Sequence, residues 1–457
     1  MTLDIYLGIS LTPRDVRCIV VNLEGETLGT STASLNVDES RDPDAWWLAL
    51  KTALRELAGG GIDLLTVRAI GLAGTPYGAV FLDDGGAAIT PATVAGDQEA
   101  AAYCAYLEST ARRSRAINGN LAKPDMLGVA LVHLREEAPE TFKRLATVLA
   151  PKDYLMWRLT GQKATDPSTA STSLLFDPLE KTWAPRILKP LGLQTDKLPK
   201  LVASDTSVGP LLDAAANETG LAVAPVVAGA SGLAAMCVCL GLEHAGENLL
   251  VLGERTNLVR LSTTFLPDPF RHIDMRASTK DGVFFHLADT GPAADFDAWA
   301  HSLETSAHDN APETDLYFLP HLGHGAALAG LSPRATPQDI ARAVLHGAAF
   351  EIAESLAAMN DLFATEEPLQ FLASPSLGRA WGPFLASATD TALEFHEDDG
   401  FSIARGAAGL ARKSQAGKNQ KKPEPAERFL PQPDLKARFD RVRPKLAGLK
   451  SRLTHSG

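Results

Sequence analysis

Few residues in this chain are placed for chemistry. The stretch "HLGH", with His321 and His324, has the three-residue spacing of two ligands on one helical turn, but it is glycine-rich and no Cys or carboxylate sits close by. Cys237 and Cys239 could also pair around a metal, although two thiols in an apolar stretch are more often core packing. Asp289 and Asp295, in and beside "ADTGPAADFD", read as solvated loop acids, with a role as surrogate bases the sharper alternative. No Ser-His-Asp pattern and no nucleotide fingerprint is present. The most telling segment is 226–241, "VVAGASGLAAMCVCLG", which reads as a buried strand at 226–228, a tight glycine turn and an apolar helix. It holds no group able to take a proton, since the Ser231 hydroxyl is far too weak a base near neutral pH.

The elements that must carry these residues are legible from patterning. At the N-terminus, "DIYLGIS", "DVRCIVVNL" and "TSTASLNV" are extended runs separated by turns, a meander of hairpins. "DPDAWWLALKTALRELAGGG" has an acidic start, a proline in its first turn, apolar residues at helical spacing and a glycine stop. The strand "VRAIGLAG" follows, so a mixed sheet with helical cover is expected. Residues 118–201 are mainly helical, with breaks at Pro139 and Pro151. From 226 the order repeats: strand, a hairpin in "NLLVLGERTNLVRLST", a long helix capped by Thr336 with Pro337 at its first position, the strand and turn of "LQFLASPSLG", and a last helix in "GFSIARGAAGLAR". This duplication predicts two related α/β domains with a cleft between them.

The 457 residues are enough for two large domains, and 45% hydrophobic with 21% charged residues is ordinary globular composition. No segment reaches the roughly 20 apolar residues of a membrane span, the N-terminus lacks a leader pattern, and four cysteines are too few for a disulfide framework, so a cytoplasmic chain is expected. Of the net charge of −12, residues 412–457 contribute 13 basic and 4 acidic side chains, leaving 30 basic and 51 acidic on the rest. An acidic body makes nucleic acid an unfavoured partner, and the basic tail reads as solvated and partly helical or disordered.

The string "LAPKDYLMWRLTGQKATDPSTASTSLLFDPLEKTW", with "ETGLAVAPVVAG" and "DLYFLPHL", resembles the FGGY carbohydrate kinases and their xylulokinase branch, over nearly the whole chain to about residue 411. The resemblance implies two actin-like, ribonuclease-H-like ATPase domains facing each other across a cleft. Their expected bounds are 1–225 on the sugar side and 226–411 on the nucleotide side, with 412–457 as tail.

It also locates what has changed. Where the family reads Gly-Ile-Asp-x-Gly-Thr, this chain puts Ser10 at the metal-positioning Asp, Thr12 at the Gly and Pro13 at the Thr, keeping Arg17 at a basic position. Gly232 stands at the family's catalytic base Asp, and Leu233 at the following Asn. The second phosphate hairpin, Gly-Thr-Ser in the family, is Gly253, Glu254 and Arg255, and the adenosine-binding glycine run is Ser374, Pro375, Ser376 and Leu377. On the sugar side Thr75, Pro76 and Tyr77 replace Gln-Met-His, while Asp97 is the one carboxylate retained. The implied function is a catalytically impaired pseudokinase with a binding or regulatory role. The alternative is an active ATP-dependent kinase for a ketopentose such as xylulose or a related polyol, with MgATP as cofactor if active and none otherwise. A small sugar ligand, an unidentified protein partner and a homodimer are the candidate associations, with no membrane.

Overall fold

The three extended runs at the N-terminus fold as the expected meander, β1 (Ile5–Leu11), β2 (Asp15–Asn22) and β3 (Thr27–Ser34). The computed structural model describes residues 4–454 apart from 254, 268–272, 292–294, 296–297, 300–314 and 323–324. Helix α1 (Pro43–Gly59) follows, then β4 (Val67–Gly74) and α2 (Pro151–Thr160). Next come β5 (Ser207–Pro210), β6 (Pro225–Val227), β7 (Ala230–Ser231) and α3 (Gly232–Cys239). The remainder holds β8 (Asn248–Leu252), β9 (Thr256–Ser262), α4 (Pro337–Leu362), β10 (Leu369–Ala373), α5 (Pro375–Thr389), β11 (Leu393–Glu397), α6 (Ser402–Ala416), β12 (Glu427–Phe429) and α7 (Pro433–Thr454).

The chain divides into two compact units. One comprises Met1–Glu243, Ser262–Phe285 and Gly400–Pro423, and the other His244–Leu261, His286–Asp399 and Glu424–Gly457. Within the first, the sheet runs β5-β6-β4-β1-β2-β3 with β7 beside β4. β1 is antiparallel to β2 and parallel to β4. Every residue of β1 is buried, as a strand covered on both faces requires. Alternation sends Ile5, Leu7, Ile9 and Leu11 into one core with Trp46, Leu50, Leu54 and Leu57 of α1. The opposite face carries glycines. A Cβ at Gly8 would lie 1.9 Å from the Ala404 carbonyl oxygen and one at Gly71 would lie 2.0 Å from that of Ala407, so α6 seats directly on the strand backbones. Gly71→Ala should therefore destabilise this unit by about 1–3 kcal/mol in chemical denaturation, the ordinary penalty of overpacking, and a change within about 0.5 kcal/mol would contradict so close a seat.

In the second unit β8 is antiparallel to β9 and parallel to β10, which is parallel to β11, and β11 takes β12 antiparallel at its other edge. The order of β1, β2 and β4 thus recurs in β8, β9 and β10, which is the duplication visible in the sequence. Thr336 caps α4 in a capping box with Asp339, with Pro337 at the first position.

Two boundaries run differently from the expectation. Residues 226–243 pack in the first unit, because β6 and β7 both pair parallel with β4. Residues 400–423 return to it as α6 and the segment after it. The basic tail is not a free arm beyond that point. β12 and α7 belong to the second unit, with Phe439, Val442 and Leu446 buried, while Arg443 pairs with Glu354 and Lys450 with Glu351, each at 2.7 Å. Among the described residues no helix is long and apolar enough to cross a membrane.

Candidate functional site

The turn between β1 and β2 holds the first candidate phosphate contacts. The Thr12 amide donates to the Asp15 carbonyl at 2.9 Å, the amides of Arg14 and Asp15 both donate to Thr12 Oγ1 at 3.2 Å, and Thr12 Oγ1 donates to Asp15 Oδ1 at 2.9 Å. Pro13 has no N–H to offer. The turn has thus satisfied its own donors, and no amide of residues 12–15 remains for an anion. Arg17 is committed as well, its Nε and Nη2 donating to Asp15 Oδ2 at 3.0 and 2.8 Å and its Nη1 to the Gly400 carbonyl, with Phe401 5.7 Å away under the guanidinium. Ser10 is buried opposite Arg17 in the hairpin register and brings no carboxylate.

At the corner from β7 into α3 stands Gly232. The sequence reading leaves it without a base, and the packing goes further. A Cβ built there would meet Ile403 Cδ1 at 3.2 Å and the Gly74 carbonyl oxygen at 3.3 Å, tighter than ordinary van der Waals contact. A side chain there would have to press Ile403 of α6 and the end of β4 back by a few tenths of an ångström.

The residues expected on the sugar side follow β4. The Thr75 amide donates to the Leu11 carbonyl at 3.0 Å, and the Pro76 carbonyl accepts from Thr172 Oγ1 at 3.0 Å. The Tyr77 hydroxyl accepts from Arg276 Nη2 at 2.7 Å and its ring lies 5.5 Å from that guanidinium, both groups buried. Asp97 is ion-paired with Arg41 and accepts from the Val94 amide at 3.0 Å, contacts that hold its own loop. The structure does bring Thr12, Pro13, Thr75 and Tyr77 together with Trp46, Val94 and Pro151 around one cavity, but of only about 10 Å³, room for a single water.

In the second unit Gly253 lies in the β8–β9 turn, Glu254 falls outside the described residues, and Arg255 is ion-paired with Asp289, which removes that aspartate as a free surrogate base. Asp295 is exposed. Ser374 to Ser376 form no turn. Ser374 is the N-cap of α5, Pro375 its first residue, and all three are exposed. His324 and the side chain of His321 lie outside the described residues, Cys237 and Cys239 are both buried, and no group of three metal-binding side chains occurs among the described residues.

One cluster has no role in the sequence reading. Lys152 Nζ, at the start of α2, lies 2.5 Å from Asp153 Oδ1, 3.0 Å from Asp166 Oδ1 and 2.9 Å from the Ala228 carbonyl oxygen, and all three ionisable side chains are buried. Asp166 Oδ2 accepts from the Ser168 amide, from Ser168 Oγ, from the Thr169 amide and from Ser204 Oγ. Burial pushes the Asp153 carboxyl up to about 6, against the pull of Lys152. Burial draws the Lys152 ammonium down, but the two carboxylates outweigh it and hold it above its ordinary value. Adjacent charges in an otherwise apolar string, "LAPKDYLMW", were the available signal, since charges are rarely buried unless paired.

Comparison with known proteins agrees with this architecture. Residues 5–239 match the N-terminal domain of the FGGY family of carbohydrate kinases. The chain is 29% identical over 433 residues to the xylulose kinase of Escherichia coli strain K12, covering 89% of each. Over 432 residues it is also 29% identical to that of Klebsiella pneumoniae, again covering 89% of each. The crystal structure of a xyloylose kinase from Brucella ovis superposes with a TM-score of 0.92 at 24% identity, covering 99% of this chain and 100% of that one. The fold is that of the two-domain actin-like ATPases, and with the match spanning 5–239 the chain belongs to the FGGY family of carbohydrate kinases.

Proposed function

We propose that this chain is a xylulokinase-like FGGY protein that has lost phosphoryl transfer and serves as a binding or regulatory protein. The observation that carries this reading is the corner at Gly232, which brings no carboxylate of its own and where a Cβ would already press on Ile403 Cδ1 at 3.2 Å and the Gly74 carbonyl oxygen at 3.3 Å. Transfer to a sugar hydroxyl needs a positioned base, donors around the phosphates and a carboxylate for magnesium. FGGY kinases use ATP with magnesium, but the residues at the first hairpin do not fit that group: the turn amides and Arg17 are already bonded, and Ser10 offers no carboxylate. The binding half of the reading is supported by a recess of about 770 Å³ beside α1 and α2, lined in part by Tyr154, Trp157 and Arg158, a size that small ligands occupy.

The overall likeness to xylulose kinases favours a second reading, an active kinase for a ketopentose or related polyol. A coupled ADP-release assay with xylulose and a panel of pentoses, hexoses and polyols separates the two. The first reading expects sugar-independent background throughout, and ADP release that rises with any one sugar would establish the second.

A further inference from the structure

The buried cluster at Lys152 is tied to the corner that precedes Gly232 by two routes. Lys152 Nζ donates to the Ala228 carbonyl at 2.9 Å, and the Ser231 amide donates to Ser168 Oγ at 2.9 Å, the same hydroxyl that donates to Asp166. Four stretches of chain, the start of α2, residues 165–169, Ser204 and residues 228–231, are thereby held by one ammonium and two carboxylates. If both carboxylates are ionised the cluster carries a net negative charge away from water, which is costly. One proton removes it. Asp166 accepts from four donors besides Lys152. Asp153 is faced by Lys152, by Asp166 and by Thr165, fewer donors than Asp166 receives, so it is the site at which a proton is taken up.

We propose that Lys152, Asp153 and Asp166 form a proton-operated latch on the 228–232 corner, tight when Asp153 is protonated and slack when it is ionised. With Asp153 neutral, Lys152 is committed to Asp166 and the Ala228 carbonyl. With Asp153 ionised, Lys152 is shared between two carboxylates that repel each other, and its hold on Ala228 weakens. The raised Asp153 carboxyl, titrating at about 6, places the change in the range a cell can reach. The sign follows from linkage: a carboxyl held protonated more strongly in the folded chain adds stability below its unfolded value of about 4 and loses it as the pH rises through about 6. The latch goes beyond the proposed function, since it acts whether or not the chain transfers phosphate.

The test is hydrogen exchange on the full chain, read by mass spectrometry over peptides covering residues 226–240 and corrected for the intrinsic pH dependence of exchange. Protection should fall by about threefold or more between about pH 5 and pH 7, and Asp153→Asn, which cannot ionise, should keep the low-pH protection throughout. Equal protection at both pH values in the natural chain, or an unchanged response in Asp153→Asn, overturns the proposal. If that variant does not fold, difference infrared on the natural chain decides. A carboxylic-acid carbonyl band lost with a midpoint near pH 6 supports the latch, and complete ionisation by about pH 5 overturns it.

Discussion

Gly232→Asp, made alone, should leave ADP release at background. The substitution restores the residue type that the family uses as base, and a positioned base is ordinarily worth about 100- to 10,000-fold. Here its Cβ would press on Ile403 Cδ1 at 3.2 Å and on the Gly74 carbonyl oxygen at 3.3 Å, so the neighbours must shift to admit it. The carboxylate would also act on a nucleotide for which the first hairpin has no spare amide, since Thr12 and Asp15 have consumed them. The measurable consequence is a loss of stability, about 1–3 kcal/mol by thermal or chemical unfolding, with no gain in turnover. Combining it with Ile403→Ala should recover much of that stability and still give no turnover. A rise of about 100-fold in sugar-dependent ADP release from the single substitution would mean that the nucleotide still binds productively, and the account of the hairpin would be wrong.

Deleting residues 424–457 should unfold the second unit. β12 covers the outer edge of β11 through the pairs Leu393 with Phe429 and Phe395 with Glu427, so its removal bares an unpaired strand edge. α7 contributes Phe439, which meets Phe384 edge to face at 6.3 Å, and buries Val442 and Leu446. Phe439→Ala alone should cost about 3–5 kcal/mol, the usual penalty for emptying a buried aromatic site. Calorimetric unfolding of the truncated chain should lose the transition of this unit and keep that of the first. Retention of both transitions would show that the tail rests on a unit that does not need it.

Local chemistry explains what could be read in advance. The β1–β2 and β8–β9 hairpins, the Asp42 and Thr336 caps with their following prolines, and the strand-turn-helix at 226–239 are each set by a few neighbouring residues. That position 232 brings no carboxylate is likewise plain from the sequence. The domain boundary was not, because β6 and β7 pair with β4 across some 150 intervening residues, and nothing at 226 announces which sheet the strand will join. The tail misled by composition: its positive charge reads as solvated, whereas Arg443 and Lys450 face Glu354 and Glu351 of α4. The tight contacts at Gly232 and the bond of Arg17 to Gly400 depend on residues 400–423 returning to the first unit, with partners some 170 and 380 positions apart in sequence. The candidate site residues could be named from the sequence, but the packing around them could not.

The proposed function requires that the chain neither hold a nucleotide nor transfer its phosphoryl group. Calorimetric titration of the full chain with MgATP, in the absence and presence of xylulose, tests it most directly. The account predicts only heats of dilution up to millimolar nucleotide in both titrations. A saturable MgATP isotherm would contradict it, and one sharpened by xylulose would identify a working kinase.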